Sequence, residues 1–271
     1  MPVTERRRPP ARQRQWLVAV CLIALGLLLS ACRADPESWQ RIQQSGVLRV
    51  GIDPTFPPFA LDEGGTLTGI DVDLARALAA EMGLEAQFTY FGYDGLYDAL
   101  ATEQVDILIS ALVIAPERTG DFAFSAPYYD AGQVLIVPVD ASGIASADDL
   151  DGQRLAVELG ALGHVEALAL QRDKPALQVQ TYSGVDEALD AMAAGEADAA
   201  LVDSVSGRLY LRQRSTSARP LMRLPVPMTS EPYAIVVRIE DRILLKELND
   251  ALHYLSQENE LDAILNKWLG P

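Results

Sequence analysis

The chain has 271 residues, 49% of them hydrophobic, and carries 38 acidic against 22 basic side chains for a formal charge of −16. That apolar content fills one large or two modest cores and excludes a disordered chain. The acidic balance excludes nucleic acid and anionic lipid surfaces as partners.

Arg6, Arg7, Arg8, Arg12 and Arg14 precede an unbroken apolar run over 16–29, followed by Ser30, Ala31 and Cys32. This is the charged, apolar and small-residue order of a secretory signal. The run of 14 residues is shorter than the about 20 that a spanning helix needs. Leu29-Ser30-Ala31-Cys32 resembles the bacterial lipobox, so residues 1–31 are expected to be a lipoprotein signal peptide, with Cys32 lipidated and a lipid anchor replacing a spanning helix. Removal of 1–31 takes away five arginines and Glu5, leaving 17 basic and 37 acidic side chains, a formal balance of −20. Cys21 leaves with the signal and Cys32 carries lipid, so the core must hold an exported chain without disulfides.

Residues 32–45 read as a tether and a short helix, with Asp35 and Pro36 suited to its N-cap and first turn and Ser45-Gly46 to its end. Apolar, β-rich runs at 47–52, 86–91 and 107–110 then alternate with helical patterns at 72–82 and 96–103. The first pattern puts Val72, Ala75, Leu78, Ala79 and Met82 on one face, between Asp71 and Gly83. Gly64-Gly65, followed by Gly69, reads as a turn between strands. The alternation repeats as strand 155–157, helix 165–172, strand 177–182, helix 185–194 and strand 199–202. Two such arrays predict two α/β domains with mainly parallel sheets. Apolar runs at 133–139 and 233–239 are placed to cross between them as a double hinge. Within 241–269, Leu244, Leu245, Leu248, Leu252 and Leu255, then Leu261, Ile264, Leu265 and Trp268, have the spacing of core-facing helical stripes.

Few residues carry chemistry. His164 and His253 are the only histidines, and no GxSxG, P-loop or HExxH spacing occurs. Asp53, Glu158 and Asp203 fall where strands end, and in open α/β sheets the carboxyl ends of strands meet ligands. Arg118 follows the strand at 107–110. Four charged groups on corresponding edges of two domains suit a zwitterionic or polar small ligand. In Thr55-Phe56-Pro57-Pro58-Phe59 the prolines stiffen the loop after the first strand and hold at least one phenylalanine near its carboxyl end. Tyr93 opens the helix after the second strand.

From VLRVGIDPTFPPFALDEGGTLTGIDVDLARALA, through SALVIAPERTGDFAFSAPYYDAGQVLIV, to the terminal NKWLG, the chain resembles the bacterial extracellular solute-binding proteins of the polar amino acid type (family 3), which serve ABC transporters. The resemblance implies an α/β, two-lobed periplasmic-binding-protein-like fold (type II), each lobe a mainly parallel sheet flanked by helices, joined by a two-strand hinge. Lobe 1 would comprise 46–137 plus 232–271, and lobe 2 would comprise 138–231. The arginine of the PER motif, Arg118, would pair with a ligand α-carboxylate through its planar guanidinium. Asp203 would hold the α-ammonium, Phe56 and Tyr93 would wall the side chain, and Asp53 and Glu158 would face its variable part. Main-chain groups of Ser110, Ala111, Val113, Ala161 and Leu162 would line the remainder.

The chain departs from that pattern at three positions, with Val113, Ala161 and Leu162 where Ser or Thr hydroxyls usually help bind the carboxylate. A hydrogen bond to a charged group is worth about 1.5–3 kcal/mol, so losing two costs about 3–6 kcal/mol, roughly 100- to 10,000-fold in affinity. Backbone N–H groups with Arg118 are expected to hold the carboxylate instead. The alternative is a ligand that is a non-standard amine or an amino-acid derivative. Three carboxylates against one guanidinium favour a cationic ligand such as arginine or lysine. The implied partners are that ligand, an ABC transporter permease and the membrane through the lipid anchor. The protein is expected to be an extracytoplasmic monomer with no catalytic residue, metal or cofactor. A cyclohexadienyl-dehydratase-like enzyme is the other alternative, and His164, at a helix N-terminus, is expected to point outward.

Overall fold

The computed structural model describes residues 38–141, 143–214 and 219–270. The signal segment, Cys32 and the Asp35-Pro36 helix start lie outside the described residues. Helix α1 (Ser38–Ser45) ends at Gly46, whose φ of 70° lets its N–H reach the Ile42 carbonyl at 2.9 Å. There follow β1 (Val47–Ile52), β2 (Thr55–Phe56), β3 (Ala60–Glu63), β4 (Thr66–Thr68), α2 (Ile70–Glu81), β5 (Glu85–Tyr90), α3 (Leu96–Ala101), β6 (Ile107–Leu108), β7 (Phe122–Phe124) and β8 (Tyr129–Asp130). The second array is β9 (Gln133–Pro138), β10 (Arg154–Glu158), α4 (Leu162–Asp173), β11 (Gln178–Tyr182), α5 (Val185–Ala193), β12 (Ala199–Asp203), α6 (Ser204–Gln213) and β13 (Leu221–Arg223). The chain then returns through β14 (Pro232–Tyr233), β15 (Val236–Arg238), α7 (Arg242–Gln257) and α8 (Glu260–Leu269).

Two five-stranded sheets result, ordered β5-β1-β6-β15-β7 and β11-β10-β12-β9-β13. The first three strands of each are parallel, while β15 and β9 run antiparallel to both neighbours. The sheets are thus mixed rather than mainly parallel, because these two strands enter each lobe from the other and arrive reversed. The expectation that 133–139 crosses between lobes is corrected: β9 lies inside the second sheet, buried on both faces. The crossing pair is β8 and β14, antiparallel with Tyr129 opposite Tyr233 and Asp130 opposite Pro232. The second sheet therefore begins at Gln133, earlier than the expected change at 138.

Each sheet carries the same ionic lock at the amino ends of its strands. Arg49, in β1, pairs with Asp106 at 2.6 Å, and the Asp106 N–H donates to the Arg49 carbonyl at 2.8 Å. Arg154, in β10, pairs with Asp198 at 2.7 Å, and the Asp198 N–H donates to the Arg154 carbonyl at 2.9 Å. Both locks set the register of the first strand against the third, at the end of the sheet opposite the loops described below. Leu74 and Leu78 of α2 pack with Leu244, Leu248 and Leu265 over the first sheet. In the second, Leu135, Val137 and Leu201 fill one face while Val134, Ile136 and Val202 fill the other, the period-two alternation of strands covered on both sides.

Candidate ligand-binding site

The loops after the third strand of each sheet meet the hinge. Val113 forms an antiparallel bridge with Tyr233, and Ser204 bonds the Asp130 carbonyl and the Tyr129 hydroxyl, each at 2.8 Å. The carboxyl ends of both sheets therefore face each other beside β8 and β14. Asp53 follows β1, Ser110 follows β6, and Glu158 and Asp203 close β10 and β12.

On the first lobe, Asp53 is buried at 7% exposure. Its Oδ1 accepts from the Thr55 N–H at 3.0 Å and the Thr55 hydroxyl at 2.7 Å, so half of this carboxylate braces its own loop. The Asp53 N–H donates to Ser110 Oγ at 3.0 Å. Ala111 takes a left-handed φ of 47°, and its N–H donates to Asp71 Oδ2 at 2.8 Å. That amide is consumed internally, so only the carbonyl of Ala111 is left to line the site. Val113 behaves differently. Its neighbours make the bridge, Ile114 N–H to the Pro232 carbonyl at 3.1 Å and Ala234 N–H to the Leu112 carbonyl at 2.9 Å. A residue flanked in this way is a non-hydrogen-bonded pair member, and its own N–H points away from the partner strand.

Aromatic rings lead from the loop to the hinge. Phe56, 50% exposed, stacks on buried Phe59 with centroids 5.7 Å apart and planes at 11°. Phe59 in turn meets Tyr129 and Tyr233 edge-on at 5.8 and 5.2 Å. Pro57-Pro58 is a cis peptide, and the Ile70 and Asp71 N–H groups opening α2 donate to the Pro58 and Phe59 carbonyls at 3.0 and 2.9 Å. Gly69 is needed there, since a Cβ would stand 2.1 Å from the Phe59 carbonyl oxygen. Tyr93 is 57% exposed. Arg118 closes a 3₁₀ turn, Pro116–Arg118, with its guanidinium 3.9 Å over the Tyr97 ring. Among the described residues it forms no ion pair.

On the second lobe, Ala161 is the N-cap of α4 and supplies no side-chain cap, leaving Leu162 47% exposed at the first turn. Gly163 is clamped, because a Cβ would come within 2.7 Å of the Leu201 carbonyl oxygen. His164 accepts the Gly160 N–H on Nδ1 at 3.2 Å, a loop-bracing contact, and His253 is exposed on α7. Half-buried Asp203 caps α6, its Oδ1 accepting from the Ser206 N–H at 2.8 Å. The residue that sequence reasoning missed is Glu231, on the hinge side of this lobe. Burial first, then the negative charges of Asp203 and Asp130, raise its carboxyl above the ordinary range. None of Asp53, Glu158, Asp203 or Glu231 makes an ion pair among the described residues.

Two α/β lobes, a two-strand hinge and facing strand ends that carry charge define a periplasmic-binding-protein-like solute receptor. The chain belongs to the bacterial extracellular solute-binding proteins, family 3, whose model matches residues 48–271. It is similar to the L-cystine-binding protein TcyJ of Escherichia coli (strain K12), 29% identical over 265 residues that cover 95% of this chain and 96% of the relative. It is also similar to the arginine-binding extracellular protein ArtP of Bacillus subtilis (strain 168), 25% identical over 255 residues, 94% of this chain and 98% of the relative. Among solved structures, the L-cystine solute receptor of Neisseria gonorrhoeae in its unliganded open conformation matches 85% of this chain and 96% of its own, at 25% identity and a TM-score of 0.75. The protein is an extracytoplasmic solute-binding protein, as are these relatives.

Proposed function

We propose that this protein captures an amino acid between its lobes, with preference for a cationic one such as arginine or lysine, and delivers it to an ABC transporter permease. One observation carries the reading. A guanidinium, Arg118, and the carboxylates of Asp203, Glu158 and Glu231 stand at facing strand ends and the hinge without internal ionic partners among the described residues. Unpaired charge on both walls of a cleft is complemented by a ligand that brings the opposite set.

In this reading Arg118 and the Val113 N–H take the α-carboxylate, and the free oxygen of Asp203 takes the α-ammonium. Phe56 and Tyr93 flank the side chain, while Glu158, Glu231 and the remaining charge of Asp53 favour a positive end. Main-chain groups of Ser110, Ala161 and Leu162 complete the lining. Cystine is a net-neutral double zwitterion, whereas arginine carries a net positive charge. An excess of carboxylates over guanidinium therefore favours a ligand like that of ArtP over one like that of TcyJ. A Haemophilus influenzae relative, 26% identical, is a probable amino-acid ABC transporter-binding protein, which supports the transporter partner. The exposed Phe56, Tyr93, Arg118 and Leu162, and the likeness to an open receptor, support an open resting form that ligand closes by binding the closed state more tightly.

The Leu29-Ser30-Ala31-Cys32 sequence supports a lipid anchor on Cys32. Palmitate labelling of cells tests it: label on the wild type and none on Cys32→Ala agree with the anchor, and equal label contradicts it. Native mass spectrometry of protein purified without denaturation tests the ligand class. A co-purified basic amino acid agrees with the proposal, and a co-purified acidic one contradicts it.

A further inference from the structure

Gln133 opens β9 and is buried at 5% exposure, yet none of the ligand contacts proposed above uses it. Its main chain is satisfied: the N–H donates to Thr229 Oγ1 at 2.8 Å, and the carbonyl accepts the Met228 N–H at 2.7 Å. Its side-chain amide has no hydrogen-bond partner among the described residues. A buried polar group without a partner costs stability, and this one carries two donors and an acceptor. The amide end is not sealed inside the lobe, so a partner from outside the protein can reach it.

Register and alternation place that amide. Gln133 lies directly opposite Asp203 across β9 and β12, and opposed residues carry their side chains on the same face. Leu135 and Val137 of β9 and Leu201 of β12 fill the face that also takes Ala167 of α4. Residues two and four positions apart share a face, so Gln133 and Asp203 lie on the α4 side of the sheet. There Gln133 Oε1 stands 2.8 Å from where a Cβ on Gly163 would be. The side chain therefore reaches the first turn of α4, into space that only a glycine leaves free. The Leu162 and Gly163 N–H groups of that turn make no hydrogen bond among the described residues. The amide thus sits between Asp203 and an open helix N-terminus, at the strand ends that face the cleft.

We infer that Gln133 is a ligand-contacting residue of the second lobe, whose side-chain N–H groups donate to the α-carboxylate of the bound amino acid. This rests on the reading given above, in which an amino acid is held between Arg118 and Asp203. Acceptors are plentiful on this side of the cleft, in Asp203, Glu158 and Glu231, whereas Ala161 and Leu162 bring no hydroxyl donors. Gln133 supplies donors without adding charge. The α-ammonium and α-carboxylate share one carbon, so a donor beside Asp203 meets the carboxylate when Asp203 holds the ammonium. Leucine at this position keeps the bulk and removes the donors. Glutamate keeps the shape and turns the donors into acceptors.

The test is calorimetric titration of arginine into wild type, Gln133→Leu and Gln133→Glu, with near-UV circular dichroism to establish that each is folded. Losing a hydrogen bond to a charged group predicts arginine binding weakened by about 10-fold or more in Gln133→Leu, and weakened further in Gln133→Glu, where carboxylate faces carboxylate. Wild-type affinity in folded Gln133→Leu, or tighter binding in Gln133→Glu, overturns the inference. A readout that a merely structural role would not move is the side-chain NH2 signal of Gln133 in the wild type, followed by nitrogen–proton NMR. Arginine should shift one of its protons downfield, and an unmoved signal at saturation overturns the inference even if a variant fails to fold. Failure of the wild type to bind arginine is a different outcome, and refutes the functional reading together with this role.

Discussion

Threonine in place of Val113 adds one hydroxyl at nearly constant shape. Val113 is half-buried, packs against the first-lobe core and bridges Tyr233 through its neighbours' backbone, so the exchange leaves the loop path unchanged. The new hydroxyl stands beside an N–H that points away from the partner strand, within the wall proposed to hold a carboxylate. One hydrogen bond to a charged group is worth about 1.5–3 kcal/mol, which predicts arginine binding tightened about 10- to 150-fold. The same hydroxyl, unsatisfied in the unliganded state, costs about 1 kcal/mol of stability. Calorimetry with arginine and with agmatine, its decarboxylated counterpart, separates the effects. Arginine should tighten and agmatine should not. Unchanged or weaker arginine binding in a folded Val113→Thr variant refutes the placement of the carboxylate.

Three further outcomes follow from the geometry. Arg118→Ala should abolish measurable binding of amino acids by calorimetry. Its melting temperature should barely move, because an exposed guanidinium over a ring is worth about 0.5–1 kcal/mol; a large loss of stability contradicts the exposed placement. Arg238 and Asp241 form a buried pair at 2.7 Å, and Arg238 also donates to the Leu100 and Val105 carbonyls, both at 3.0 Å. Arg238→Ala should therefore cost about 3–5 kcal/mol in urea unfolding, and a cost below about 1 kcal/mol contradicts a closed pair. The carboxyl of Asp71, pushed by burial up to about 7 when folded against about 3.9 unfolded, lets the folded state keep a proton that the unfolded state has lost between those values. Its contribution makes stability fall as pH rises through that window, by at most about 1.4 kcal/mol per unit. The destabilisation is complete above the folded value and absent below the unfolded one. Asp71→Asn should remove this slope in urea unfolding curves taken from pH 4 to 7, and identical slopes refute the raised value.

Most elements were legible because their patterns are local. The first strand was placed at its observed bounds, and α2, expected over 72–82, begins two residues earlier at Ile70. There the N–H groups of Ile70 and Asp71 are taken by carbonyls of the Pro58-Phe59 loop, a contact that periodicity does not reveal. The hinge was misplaced for a related reason. Its strands are two residues each, too short for any alternation, whereas the apolar run of β9 already belongs to the second core. The strand-end placement of Asp53, Glu158 and Asp203 follows from position in the alternating pattern alone, whereas Arg118 lies further along, in the 3₁₀ turn Pro116–Arg118. Asp71 read as an ordinary helix start because acidic residues are common in a first turn, and its partners, the Ala111 N–H and the Tyr128 hydroxyl, lie 40 and 57 residues away. Glu231 sits in Thr229-Ser230-Glu231-Pro232, whose composition reads as loop, and its interest comes from its burial and from Asp203 and Asp130 beside it. The paired Arg49–Asp106 and Arg154–Asp198 locks were present in both arrays as an arginine in the first strand and an aspartate before the third. They are a trace of common plan between the lobes that extends to side chains.

Calorimetric titration of the purified protein with arginine, lysine, cystine, glutamine and glutamate, at one pH and ionic strength, tests the central claim most directly. The proposed site, in which the carboxylates of Asp203, Glu158 and Glu231 outnumber the guanidinium of Arg118, predicts that arginine or lysine binds most tightly and glutamate most weakly. Tightest binding of glutamate or a neutral amino acid, or no response to any member of the panel, would contradict it.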